Sequence, residues 1–230
     1  MMDFNNLAYT ASVWVLPVLF AVTFHEAAHG WTAWRLGDDT AYRLGRVTFN
    51  PLKHIDPFGT ILMPAMLLFA SSGRMMFGFA KPVPVNFGRL RRPRRDMILV
   101  AAAGPASNLL IALVSALLIH GLTYLSGDVY QWAGYNLANS VRINLLLAVF
   151  NMLPIPPLDG GRVAVGLLPA SLSYRLARLE RAGMLIILGG IFILPWVGAK
   201  LGVDLNVFWW LVGLPTEYLM EAVFFITGHI

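Results

Sequence analysis

The chain has no cysteine. That excludes a disulfide framework and any zinc site built on thiolates, so a metal here must be held by histidine and carboxylate. Charge is scarce too. Only 13% of the 230 residues are Asp, Glu, Lys or Arg, against about 25% in soluble domains. Apolar residues fill the gap: 57% are hydrophobic and the mean hydropathy is +0.66. This composition predicts an integral membrane protein, and the length fits one compact membrane domain without a large soluble module. The first apolar segment lacks a positive n-region, so it does not read as a cleavable signal. No repeat or low-complexity tract is present.

Acidic residues are outnumbered 12 to 17 by Lys and Arg, giving a net charge of +5. A basic balance can mark a nucleic-acid binder, but the distribution speaks against one. Eleven of the basic residues lie between Arg35 and Arg95 and four between Arg162 and Arg181. They sit in loops beside apolar runs, as the excess of basic residues in cytoplasmic loops requires. The expected partner of this charge is the lipid bilayer, with no nucleic acid involved.

The apolar runs give spans at about 7–36, 97–122, 137–153, 182–197 and 207–227. Pro17 falls inside the first span and should free a carbonyl one turn earlier. Residues 38–56 alternate weakly and read as a short strand or hairpin at the membrane surface. The run at 57–70 is too short to cross comfortably and suggests a re-entrant or interfacial segment. FGFAKPVPVNFG, at 77–88, carries two prolines in extended spacing and reads as an extended edge segment. The expected fold class is an all-α integral membrane protein. It should have about five to six transmembrane helices, with a short membrane-associated β or re-entrant region after the first. Charge places the N-terminus and the 123–138 loop outside, and Arg89–Arg95 in the cytoplasm.

Within the first span stands His25-Glu26-Ala27-Ala28-His29. Ionisable groups at membrane depth are costly and are usually retained for function. Two histidines at i and i+4 share a helix face and can reach one metal ion. Glu26 lies about 100° further round the helix, where it can touch a water on that metal rather than the metal itself. A metal-activated water with a carboxylate to take its proton is hydrolase chemistry. Catalytic zinc usually keeps three protein ligands and one open position. Candidates for the third are Asp159, His54, Asp56 and His120. His120 ends its span on the outer side. Asp159 is preferred, because it follows Pro154-Ile155-Pro156-Pro157 at the inner end of the third span. A proline-broken turn there can aim a carboxylate inward, and Gly160 and Gly161 allow close backbone approach.

These motifs together carry a family resemblance. The intramembrane His25–His29 motif and Asn151-Met152-Leu153-Pro154-Ile155-Pro156-Pro157-Leu158-Asp159-Gly160 resemble the site-2 protease family of intramembrane zinc metalloproteases, peptidase family M50. Gly104-Pro105-Ala106-Ser107-Asn108 and Ala80-Lys81-Pro82-Val83-Pro84-Val85-Asn86 extend the resemblance, in the family's order, over about 20–165. The resemblance implies one Zn2+ per chain on His25, His29 and Asp159, with Glu26 as catalytic acid/base. It implies that Asn108 and Asn151 contact the substrate. The transmembrane segment of another protein is the implied substrate.

Val83, Val85 and Asn86 offer backbone groups to which an unwound substrate could add as a strand. The expected organisation is a single membrane-embedded peptidase domain over 1–230, with its catalytic core at about 7–165 and additional helices at 182–228. The resemblance is to a compact form, expected to lack the PDZ domain between spans two and three and the CBS domain after span five of larger relatives. The expected location is the plasma (inner) membrane of a bacterial cell. A membrane transporter would need a continuous polar path, which the last two spans lack until Glu217 and Glu221. An inactive scaffold would have no need of Glu26.

Overall fold

Helix α1 runs without a break from Phe4 to Arg35 although Pro17 lies inside it. Proline cannot donate to the carbonyl four residues back. That carbonyl, of Val13, accepts instead from Asn139 Nδ2 at 2.8 Å. The side chain of a neighbouring helix thus replaces the lost bond and ties the two helices together, the exchange by which prolines survive in membrane helices.

The computed structural model describes residues 4–70, 78 and 80–229. After α1 come a short helix α2 (Thr40–Arg43), a 3-10 turn (Pro51–Lys53), a π-helical turn (Pro57–Leu62) and α3 (Met63–Ala70). Then follow α4 (Pro93–Ile119), α5 (Gly127–Asn151), α6 (Asp159–Leu167), α7 (Ala170–Arg178) and α8 (Glu180–Leu188). The last two are α9 (Leu194–Leu201) and α10 (Leu214–Ile226).

The strand expected in 38–56 is not formed, and there is no strand among the described residues. Asp38 accepts from the Thr40 N–H and hydroxyl, so the local side-chain bond starts a helical turn. Gly45, at φ 63°, then breaks the alternation. The 57–70 run is helical in two pieces, started by Asp56, whose Oδ1 accepts from the N–H groups of Phe58 and Gly59. The 80–86 segment has no regular secondary structure and pairs with no strand among the described residues. Positions 77 and 79, the start of that expected edge, lie outside the described residues.

Among the described residues, three helices are long and apolar enough to cross a membrane: Ala8–Arg35, Pro93–Tyr124 and Glu180–Leu201. The helix expected at 137–153 begins earlier, at Gly127. Its N-terminal half carries Asp128, Gln131 and Asn136, and Arg142 follows, so α5 is less apolar than the other three. It is nonetheless central, packing against both α4 and α1. Ala112 and Ala116 of α4, Val141 and Leu145 of α5, and Val223 of α10 form one buried cluster. A second, of Ala33, Leu90 and Val100 with Val85 and Phe87 against it, fastens the 85–90 stretch to α1 and α4.

Candidate metal centre

The centre is assembled from three elements. His25 and His29 lie one turn apart on α1, Gly104 and Asn108 one turn apart on α4, and Asp159 opens α6. Asp159 Oδ2 stands 3.1 Å from His25 Nε2 and 3.2 Å from His29 Nε2, and the two Nε2 atoms are 3.0 Å apart. All three residues are buried.

The other ring nitrogens explain what these atoms are for. His25 Nδ1 faces Asn108 Oδ1 at 2.6 Å, and His29 Nδ1 faces the Val100 carbonyl at 2.7 Å. Both partners are acceptors, so each Nδ1 carries the proton and each Nε2 presents a lone pair. The Asn108 orientation is itself fixed. Its Nδ2 donates to the Ala21 carbonyl at 3.2 Å and to Asn144 Oδ1 at 2.8 Å, and Asn144 Nδ2 donates to the Ser140 carbonyl at 2.8 Å. Two lone pairs and a carboxylate oxygen converge on one point. Three acceptors this close could hold a metal ion between them, and two imidazoles with one carboxylate suit zinc.

Asp159 is placed by its turn. It stands in the first turn of α6, where the helix dipole favours negative charge. The turn is too tight for side chains behind it. A Cβ on Gly160 would fall 2.6 Å from the Leu153 carbonyl oxygen, and one on Gly161 2.6 Å from the Ile155 carbonyl carbon. At the far end of α6, Arg94 Nε donates to the Gly166 carbonyl at 2.8 Å. This cation on the final carbonyls locks α6 to α4.

The expected residues divide clearly. His25, His29 and Asp159 come together; the other candidates for a ligand lie elsewhere. His54 is buried with Nε2 on the Thr48 carbonyl at 2.9 Å. Asp56 caps the Pro57 turn. His120 bonds the Thr227 carbonyl at 2.7 Å.

Asn108, expected to contact the substrate, bonds His25 here: the residue is wholly buried and both of its amide functions are used. Val83 does not offer its N–H either, since it donates to Glu26 Oε2 at 2.6 Å. The Asn86 N–H donates to Asp38 Oδ2 at 2.6 Å. Within 81–86, Val85 keeps the one N–H without a partner among the described residues. Asn151 Nδ2 donates to the Leu147 carbonyl at 3.0 Å, and its oxygen has no partner among the described residues. Sequence reasoning missed Asn144, Val100, Asp38 and Arg46. Only the buried asparagines gave a signal, as polar groups in an apolar run.

Replacing Asn108 by alanine should therefore weaken metal binding. Partners of metal-bound histidines are typically worth about ten- to a hundredfold in affinity. A zinc titration of the metal-free protein would read this directly. Native affinity in Asn108→Ala would show that the bond to His25 does not matter.

Two histidines of a membrane helix and an aspartate placed to hold a metal point to a class, the membrane metallohydrolases, and comparison with known proteins narrows it. Residues 130–195 match the family described as Peptidase family M50. The chain is 38% identical over 186 residues to a Bacillus subtilis protein named as a zinc metalloprotease, YwhC, covering 79% of this chain and 80% of that one. It is 32% identical over 172 residues to the Mycolicibacterium smegmatis protein Rip2, also named as a zinc metalloprotease, covering 74% of this chain and 62% of that one. Rip2 of Mycobacterium tuberculosis is 35% identical over 159 residues, covering 67% of this chain and 57% of that one. No solved structure matches the chain. The chain belongs to peptidase family M50, the site-2 protease family, and is a membrane zinc metalloprotease.

Proposed function

We propose that the protein hydrolyses peptide bonds within or near transmembrane segments of other membrane proteins. The observation that carries this reading is the convergence of Asp159, at the start of α6, on His25 and His29 inside the apolar helix α1, which also carries Glu26. His25, His29 and Asp159 are the proposed ligands of one zinc ion. Bound there, zinc supplies a Lewis acid for the scissile carbonyl and a lowered pKa for water.

Glu26 is the acid/base. It is half-buried, and one of its oxygens, Oε2, is held by the Val83 N–H. It takes a proton from the attacking water and returns one to the leaving amine. The apolar surround strengthens every charge interaction in the step. A substrate helix must unwind before cleavage, because its carbonyls are otherwise bonded within the helix. Freed groups then need partners in a medium without water. The Asn151 oxygen and the Val85 N–H are the proposed partners, one accepting and one donating.

The proposed setting is the plasma membrane of a bacterial cell. The chain forms one peptidase domain, crossing with α1, α4, α5, the 180–201 helix and the helix around α10. The N-terminus faces outward and Arg89–Arg95 faces the cytoplasm, as the basic loops require.

The test is a cleavage assay with a purified single-span membrane protein in detergent micelles. A chelator should stop fragment formation and added zinc should restore it. Fragments that persist without metal would remove the reading.

A further inference from the structure

The 81–86 segment is tied down at four points, and one of them is Glu26. The Lys81 N–H donates to the His54 carbonyl at 2.9 Å. A terminal nitrogen of Arg46 donates to the carbonyls of Lys81 at 2.8 Å and Pro82 at 3.4 Å. The Val83 N–H donates to Glu26, and the Asn86 N–H to Asp38.

Asp38 and Arg46 are unusual residues to find here. Asp38 is fully buried, and its second oxygen accepts from the Thr40 N–H at 3.1 Å and the Thr40 hydroxyl at 2.5 Å. Arg46 is 9% exposed. Burying a charge is expensive, and a buried charge persists where its hydrogen bonds are supplied in full or where it fixes a particular arrangement. What these two fix is the backbone on either side of Val83. Between their anchor points Pro82 and Pro84 remove two N–H donors and restrict the chain. The Val83 side chain is itself buried against α1: a Cβ at Gly30 would lie 3.0 Å from Val83 Cγ1. Val83 therefore cannot carry its N–H elsewhere while the anchors hold. A charge-assisted bond of 2.6 Å holds the carboxylate it meets in one orientation.

We propose that Asp38 and Arg46 are positioning residues that clamp the 81–86 segment so that the Val83 N–H orients the Glu26 carboxylate. The inference rests on the reading of Glu26 as acid/base and adds a coupling to it. Val85, which offers the free N–H, is two residues from Val83, which holds Glu26. Substrate pairing at Val85 and the orientation of Glu26 are then set by the same short piece of chain.

The experiment follows amide exchange by mass spectrometry on the zinc-loaded protein in detergent, for the native chain, Asp38→Asn, Arg46→Gln and Arg46→Lys. The first two should raise exchange across 81–86 by about tenfold, as a local opening does, with α4 and α5 unchanged and zinc retained. Arg46→Lys, which keeps a charged donor, should restore most of the protection. In the cleavage assay kcat should fall about tenfold to a hundredfold in Asp38→Asn and Arg46→Gln, the scale of a displaced catalytic group, with KM near native for Arg46→Lys. If Asp38→Asn does not fold, the Arg46 pair decides. Unchanged exchange across 81–86 in the folded variants overturns the clamp, as does loss of zinc in step with activity. A zinc-loaded native protein that cleaves nothing would count against the protease reading alone, because the exchange measurement does not depend on substrate.

Discussion

Replacing Glu26 by glutamine should leave zinc in place and abolish cleavage, whereas replacing Asp159 by alanine should remove both. The two residues lie on opposite sides of one distinction. Asp159 Oδ2 is within 3.2 Å of both Nε2 atoms, so it belongs to the donor set. Glu26 is outside that set and accepts from the Val83 backbone. Glutamine keeps the size and can still accept that bond through its amide oxygen, so the 81–86 segment should stay where it is. It cannot take a proton, and general-base catalysis is worth about 10²–10⁴ in rate. Asp159→Ala removes the one anionic ligand from a site of three. Two neutral imidazoles then face each other at 3.0 Å with no charge to balance a dication. Metal analysis beside a cleavage time course distinguishes the cases. Full zinc occupancy in Asp159→Ala would show that another group supplies the third ligand. Residual turnover above one per cent in zinc-loaded Glu26→Gln would show that another group moves the proton.

How much of this was legible in the sequence depends on how local the physics is. The His25–His29 pair was legible because i,i+4 spacing on a helix is geometry, and charge in an apolar run is conspicuous. Asp159 was legible because prolines stop a helix and two glycines mark a close approach. The carbonyl freed by Pro17 followed from the missing N–H, but its acceptance from Asn139 did not. That partner is set by how α5 lies against α1, and no local pattern encodes the register of two helices. The bond from Asn108 to His25 was not legible for the same reason. An asparagine in a span reads equally well as a substrate contact or an interhelical bond, and only the position of His25 across the interface decides. The strand at 38–56 failed differently. Weak alternation does not by itself make a strand, while Asp38 with Thr40 two residues on is the signature of a turn bonded by its own side chain.

Gly104→Ala should empty the metal site although it improves α4 as a helix. Glycine in a helix interior costs about 0.5–1 kcal/mol relative to alanine, and here it stands immediately before Pro105 in the middle of a 27-residue helix. Two poor helix formers side by side, in a buried stretch, need a reason. The reason lies across the interface. A Cβ at 104 would fall 2.6 Å from both Cε1 and Nε2 of His25 and would collide with His29 Nε2 as well. Both ligand nitrogens therefore sit directly over a residue with no side chain. Neither ring can retreat, because each Nδ1 is fastened, to Asn108 and to Val100. The methyl group must push α4 away or break those bonds, and either change separates the lone pairs that converge on the metal. Zinc affinity should fall by at least the ten- to hundredfold expected for loss of one orienting partner, because both histidines are disturbed at once. The control is Gly134→Ala on α5, where the nearest atom to a new Cβ is at 3.6 Å, an ordinary contact. That variant should keep its zinc and gain slightly in thermal stability from helix propensity alone. Titration of zinc into the two metal-free variants, with helix content followed in parallel, gives the comparison. Equal affinity in both would mean that the imidazoles have room that their hydrogen bonds do not suggest.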